Sequence, residues 1–411
     1  MYFVYSVITY LAFILSPIII LFRFINGKED PTRFEEKFCI YKKKNNLNSI
    51  WFHAVSVGEL MSIIPILKKL EKHKKIKQII VTSSTAGSAK IFKNQKFKKT
   101  KHRYYPLDTN YLNLKFINFW KPQVAFFVDS EIWPNMIKNL YKKKIPIVIL
   151  NARITKKSFN RWKILNNFSK SIFEKISLAL PSNLETKSFL KQLGVVKIKY
   201  AGNLKYYGSN NIKKFATRSF KDKFKSYKIW CAASTHDGEE KIISKLHKNI
   251  KEREKKLLTI IIPRHIHRAK KIIKYLNQNN LNVITHSSSQ KLKKNTDIYL
   301  VDTYGEASRF YNLSKVTFMG GSMIKHGGQN PLEPARLGNY IISGPNTENF
   351  KEIYKFLEKN RMSIRTSNTT KIKKIISMRL NKKLSNNNKK KIFRIGDKIL
   401  NKNFSYISEY I

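Results

Sequence analysis

The sequence predicts an α/β protein built from two doubly wound parallel sheets, preceded by an apolar N-terminal helix. Three observations lead there. Short runs of β-branched and aromatic residues alternate with stretches of helical periodicity. Each run opens into a loop of small or polar residues before the next helix, the rhythm of a parallel sheet. The rhythm lapses over residues 205–227 and then starts again.

Taken in order, Met1 to Phe22 carry no charged side chain, and Arg23 is the first cation. About twenty apolar residues suffice to cross a bilayer, so residues 1–25 read as a retained membrane anchor. Pro17 admits a kink, and a shallow interfacial lie is the alternative. Arg23, Lys28 and the basic body follow the segment, which favours a cytoplasmic catalytic part. After a polar connection (residues 26–48) come strand-like runs at Ser49–Val55, Ile79–Thr82, Val124–Val128 and Ile145–Leu150. The first enters Ser56-Val57-Gly58-Glu59 and a helix to about Leu70; the third enters Asp129-Ser130-Glu131-Ile132-Trp133-Pro134-Asn135. The expected first domain is therefore 26–204 and the crossing 205–227. A second set fills 228–411: runs at Ile229–Ala233, Leu258–Ile262, Ile298–Val301 and Val316–Met319, then a Lys-rich helical piece (Asn381–Ile411) expected on the outside.

With 411 residues, 42% of them hydrophobic, the chain can bury two cores and is not a disordered protein. Its two cysteines, Cys39 and Cys231, suggest no disulfide framework and fit a reducing compartment. The formal net charge is +55, from 81 Lys and Arg against 26 Asp and Glu. That surplus fits an anionic membrane surface or phosphorylated lipid, though lysines on solvated faces need no partner. Neither zinc-finger spacing nor an RNA-binding aromatic signature accompanies it, so no nucleic acid is expected. No Asp-x-Asp motif occurs and no His/Cys cluster has metal-ligand spacing, so neither metal nor other cofactor is expected. His53, His236, His265 and His326 read as loop or ligand-contacting residues.

In open α/β sheets ligands bind at the carboxyl ends of strands, and the polar clusters fall there in both halves. The richest follows Val316–Met319: Gly320-Gly321, a short loop, Gly327-Gly328-Gln329, then Asn330-Pro331-Leu332-Glu333. Asn and Pro suit the cap and first turn of a helix, and such an N-terminus reached through glycines suits a phosphate. Glu333 then stands where a carboxylate can take sugar or ribose hydroxyls. Glycine pairs alone describe an ordinary strand–loop–helix junction.

The ordered set is more specific. His53-Ala54-Val55-Ser56-Val57-Gly58-Glu59, Glu131-Ile132-Trp133-Pro134-Asn135, Asn151-Ala152-Arg153, Gly202-Asn203-Leu204-Lys205, Ser234-Thr235-His236-Asp237-Gly238-Glu239-Glu240, Pro263-Arg264-His265 and the glycine stretch resemble, in that order, the Kdo transferases. These glycosyltransferases add 3-deoxy-octulosonic acid to lipid A. The resemblance implies a GT-B fold, two Rossmann-like domains facing a cleft. It also implies inverting transfer from CMP-Kdo to a lipid A precursor (lipid IVA) in lipopolysaccharide core biosynthesis, at the cytoplasmic face of the inner membrane. It makes Glu59 the general base, with Asp129 and Lys205 stabilising the transition state. From the sequence itself Glu36 is a second candidate base, although a surface residue beside the anchor is the preferred reading. CMP contacts map onto Pro263, Arg264, Tyr304, Gly305, Glu306, Asn330, Pro331, Leu332 and Glu333. Three positions depart from the family: Asp129 where Glu is usual, Gln329 where His is usual, and Tyr207 where Asp is common. A non-catalytic membrane- or polyanion-binding protein on a degenerate GT-B fold is the competing expectation.

Overall fold

In a computed structural model of the chain, residues 1–25, 29–41, 46–207, 217–288, 290–382 and 386–411 are described. They divide into two compact units, Met1–Ser209 with Ile395–Ile411, and Asn210–Arg394. The first holds a six-stranded sheet: β1 (Ser49–His53), β2 (Ile79–Ser83), β3 (Thr100–Tyr104), β4 (Pro122–Val128), β5 (Ile147–Ala152) and β6 (Leu178–Pro181), in the order β3-β2-β1-β4-β5-β6. Every pairing is parallel; Trp51, for example, lies opposite Ile80 on one side and Ala125 on the other. β1, β2, β4 and β5 are near-continuous apolar runs because helices cover both faces of such a sheet. Trp51, Phe52 and Phe127 are fully buried, and Phe52 stacks on Phe126 with ring centres 4.5 Å apart.

The second unit holds β7 (Lys228–Thr235), β8 (Leu257–Pro263), β9 (Val283–Thr285), β10 (Ile298–Leu300), β11 (Val316–Met319), β12 (Tyr340–Ser343) and β13 (Ser363–Arg365). Their order is β13-β12-β11-β7-β8-β10-β9, again parallel throughout. Each sheet reverses its winding once, between β1 and β4 in the first unit and between β7 and β11 in the second. A crevice opens at such a switch point because successive crossovers leave to opposite faces.

The single apolar helix expected at the N-terminus is two: α1 (Tyr2–Ile14) and α2 (Ser16–Ile25), bent by 51° at Leu15 ahead of Pro17. Neither alone is long and apolar enough to cross a membrane, although the pair satisfies the length and composition together. One face of α1 is bonded into the first unit. Tyr5 donates to Asp108 Oδ2 (2.8 Å), Ser6 donates to Asn135 Oδ1 (3.1 Å), and Asn135 Nδ2 donates to Thr9 Oγ1 (3.1 Å). Phe3, Ile8, Leu11 and Ile14 of α1, and Ile18 and Phe22 of α2, are exposed. Of the polar connection that follows, residues 26–28 (with Lys28) and 42–45 lie outside the described residues.

Two boundaries differ from expectation. The crossing placed at 205–227 includes 208–216, which lie outside the described residues. Lys205 itself sits in a 3-10 turn (Leu204–Tyr206) of the first unit, while Phe220 and Phe224 pack on Phe310 and Tyr299 of the second. The Lys-rich C-terminal piece, expected outside the second domain, forms the helix Asn386–Ile407, and from Ile395 onward it belongs to the first unit. Leu400 and Ile407 enter the core there, and Glu409 pairs with Lys197 and Lys199 at 2.9 Å each. Lysines on one face of a helix hide an apolar stripe on the other.

Candidate active site

Glu59 stands one turn into α3 (Val57–Glu71), the helix that follows β1. Ser56 caps that helix and forms a reciprocal box with Glu59. Ser56 Oγ accepts from the Glu59 N–H (3.3 Å) and donates to Glu59 Oε1 (2.8 Å), while Glu59 Oε2 accepts from the Val55 N–H at 2.8 Å. The carboxylate is thus held still at the end of β1. Burial pushes its pKa above the ordinary value, and Glu131 and Asp129 push the same way. A carboxylate restrained and raised in this manner is a stronger proton acceptor than a solvated one.

Asp129 lies across the switch point, at the end of β4. Its backbone is left-handed (φ 66°), as are those of Asn151 (51°) and Ser234 (55°) at the ends of β5 and β7. Such conformations cost free energy, and here they turn side chains out of the strand ends. Lys205 Nζ donates to Asp129 Oδ2 at 3.0 Å, so the shorter acid still reaches its lysine. The lysine's turn is fixed by two amides. Asn151 Oδ1 accepts from the Leu204 N–H (2.8 Å), and Asn203 Oδ1 accepts from the Lys205 N–H (2.9 Å). Glu59, Asp129 and Lys205 therefore gather at the carboxyl edge of one sheet. Glu36, the second candidate base, is instead gripped by Arg33 (3.0 and 2.9 Å) and the Tyr104 N–H (2.9 Å) beside β3.

A third carboxylate, Glu131, joins the group without having been assigned a role from sequence. It accepts from Trp133 Nε1 at 3.0 Å and lies 3.6 Å from Nε2 of His53. His53 is fully buried, stacked 3.9 Å from Tyr105, and burial lowers its pKa, so it is neutral there. Trp133 in the quoted motif was the available signal, because a half-buried indole N–H seeks an acceptor.

In the second unit Pro263 ends β8 and Arg264 follows it, with the Arg264 N–H bonded to Thr235 O (3.0 Å) and its side chain exposed. Tyr304 is 69% exposed and Gly305 borders open space. Glu306 is buried and accepts from Arg309 (3.0 Å). The helix after the glycines spans Leu332–Arg336, so Pro331 rather than Asn330 occupies the cap; Asn330 Oδ1 still accepts from the Leu332 N–H at 3.1 Å. Glu333 is exposed and accepts from Ser308 (2.9 Å), which ties the segment after β10 to that after β11.

The first glycine pair does something the sequence did not suggest. Buried Glu239 accepts from the N–H groups of Gly321 (2.7 Å), Ser322 and Met323 (3.0 Å each) and His236 (2.9 Å). An internal carboxylate already fills the nest that a phosphate would seek. Gly320 is required for this: a Cβ there would stand 2.7 Å from Glu239 Oε2 and 2.4 Å from Ser234 O. Among the described residues no group of three or more His, Cys, Asp or Glu side chains is placed to hold a metal ion.

Residues 32–207 match the family described as 3-deoxy-D-manno-octulosonic-acid transferase (kdotransferase). The chain is 32% identical over 360 residues to the 3-deoxy-D-manno-octulosonic acid transferase of Rickettsia bellii, covering 86% of each chain. It is 33% identical over 391 residues to the "Probable 3-deoxy-D-manno-octulosonic acid transferase, mitochondrial" of Arabidopsis thaliana, covering 90% of this chain and 86% of that one. Among solved structures, UDP-GlcNAc 2-epimerase from Neisseria meningitidis bound to UDP-GlcNAc superposes with a TM-score of 0.57 at 12% identity, over 86% of this chain and 98% of that one. That likeness speaks to the two-domain fold alone.

Proposed function

Because this chain belongs to the 3-deoxy-D-manno-octulosonic acid (Kdo) transferase family of glycosyltransferases, we propose that it moves Kdo from CMP-Kdo to a hydroxyl of a lipid A precursor, with Glu59 as general base. The observation that carries the role of Glu59 is its fixed, half-buried carboxylate of raised pKa at the switch point, beside the Asp129–Lys205 pair. As the acceptor oxygen bonds to the anomeric carbon, its proton passes to Glu59. The bond from that carbon to the phosphate oxygen breaks on the opposite side, configuration inverts, and CMP leaves with the electron pair. Lys205 offsets the negative charge that develops on the departing phosphate, and Asp129 orients the ammonium. CMP is held by Pro263 and Arg264, Tyr304–Glu306 and Asn330–Glu333. With a fixed cation supplied by the protein, the chemistry calls on no metal.

The protein's place is the inner membrane, on the cytoplasmic side. The apolar outer side of α1 and α2 lies in the lipid interface, and the surplus of lysine and arginine meets anionic headgroups. In support, the inner face of α1 is committed to the first unit by hydrogen bonds, which leaves only its outer face to lipid. Binding to vesicles of anionic lipid is expected to persist in part at high salt and to be lost when Phe3, Ile18 and Phe22 are replaced by Ser. Full release of the unaltered protein by salt alone would refute the apolar contribution.

The deciding experiment is transfer from CMP-Kdo, generated in situ, to a tetra-acylated lipid A precursor, read by mass spectrometry with and without chelator. A product heavier by one or more Kdo units, formed equally in both, is expected. No product in either refutes the reaction; a product only with added divalent metal refutes its metal independence.

A further inference from the structure

At the carboxyl ends of β7, β8 and β11 the second unit gathers imidazoles next to guanidinium groups. The His236 ring lies 4.2 Å from that of His326 and 6.0 Å from that of His265, and both His236 and His326 press against Gly321, with ring atoms 3.1–3.3 Å from where a Cβ would be. Gln329 Nε2 is 3.2 Å from His236 Nε2. The carboxylates of the same loop are already engaged. Glu239 serves four backbone N–H groups, Glu240 takes Arg268 (2.9 Å) and Thr235 (2.8 Å), and Asp237 takes Arg268 (3.1 Å) and Lys271 (3.2 Å). Positive potential accordingly accumulates around His236. Partial burial, then His326, His265, Arg268 and Arg264, hold its pKa down to about 4.

A cluster of imidazoles and an amide, backed by arginines, is a set of hydrogen-bond donors awaiting an anion. Because Glu239 occupies the backbone nest, the side chains must supply those donors. The donor substrate of the reaction above brings two anions: the nucleotide phosphate, and the carboxylate that an octulosonic acid carries on its anomeric carbon. Arg264, an exposed guanidinium, suits the phosphate. We propose that His236, His326 and Gln329 form a subsite for the sugar-acid carboxylate, which distinguishes this donor from a neutral nucleotide sugar. The inference rests on the donor reading given above. At position 329, where the family usually has His, an amide can turn to donate or accept, matching His236 in either protonation state.

The test separates the two anions kinetically. In His236→Asn and in His326→Asn, KM for CMP-Kdo is expected to rise about tenfold or more, the loss of one hydrogen bond to a charged group. The inhibition constant of CMP, which lacks the carboxylate, is expected to stay within about twofold, and this also certifies that the variants are folded. A parallel rise in both constants would assign the cluster to the phosphate and overturn the proposal. So would unchanged constants, or a fall in kcat alone. If the unaltered enzyme transfers no Kdo, the donor reading itself fails and the subsite falls with it, an outcome distinct from a variant that transfers normally.

Discussion

Glu59 closes the capping box of its helix and is the base we propose, and two substitutions separate the two roles. Glu59→Gln retains a side chain able to close the capping box, so the helix stays anchored while the base is lost. Transfer is expected to fall by about 10²–10⁴-fold with CMP affinity unchanged. Glu59→Ala should lose the same activity and in addition about 0.5–2 kcal/mol of stability, read by denaturant titration. Turnover within tenfold of normal in Glu59→Gln would reject the role. The ascending limb of the pH–rate profile should lie above the ordinary glutamate range, because the base form exists only above a pKa that burial has raised. Much of this site was legible residue by residue, since Ser56 and Glu59 are three apart and their box is local. Glu239 was not, for its partners Gly321, Ser322 and Met323 lie more than eighty positions away and only the folded sheet brings them together.

At the level of elements, apolar strands declared themselves and polar ones did not. β3 reads Thr-Lys-His-Arg-Tyr and alternates buried with exposed positions at a sheet edge, so its composition resembles a loop. α1 shows a related blindness: its apolar run concealed the hydroxyls of Tyr5, Ser6 and Thr9, which bind it to Asp108 and Asn135. Asp108 accepts from Tyr5, Asn113 (2.7 Å) and the Met136 N–H (3.0 Å), yet burial outweighs these bonds and lifts its pKa to about 6. The sign of the consequence is fixed. A carboxyl that prefers its proton in the folded state stabilises the fold below its unfolded pKa near 4, and that contribution is lost as pH rises to about 6. Stability measured by denaturation from pH 4 to 7 should therefore carry a falling component that Asp108→Asn removes. An identical pH dependence in the variant would disprove it.

For the whole molecule, two alternating α/β units could be read from periodicity, and the strand orders then followed the doubly wound rule. What periodicity could not reveal was the return of the chain. A basic amphipathic helix looks alike on any surface, and only the burial of Leu400 and Ile407 assigns it to the first unit. Removing Ile395–Ile411 is therefore expected to lower the melting temperature of the first unit by several degrees or more and to abolish transfer, while CMP binding by the second persists. Transfer at the normal rate by the truncated protein would contradict that assignment.

Gly396 shows how closely that return is fitted, because a Cβ there would stand 2.7 Å from Tyr207 Cα and 2.8 Å from Tyr206 O, immediately beyond Lys205. The ribosome makes the stretch that closes the first unit only after making all of the second. During synthesis the earlier half must wait with the apolar surface that Leu400 and Ile407 cover still open to water. The first unit of a nascent chain is therefore expected to close only after translation has passed Gly396.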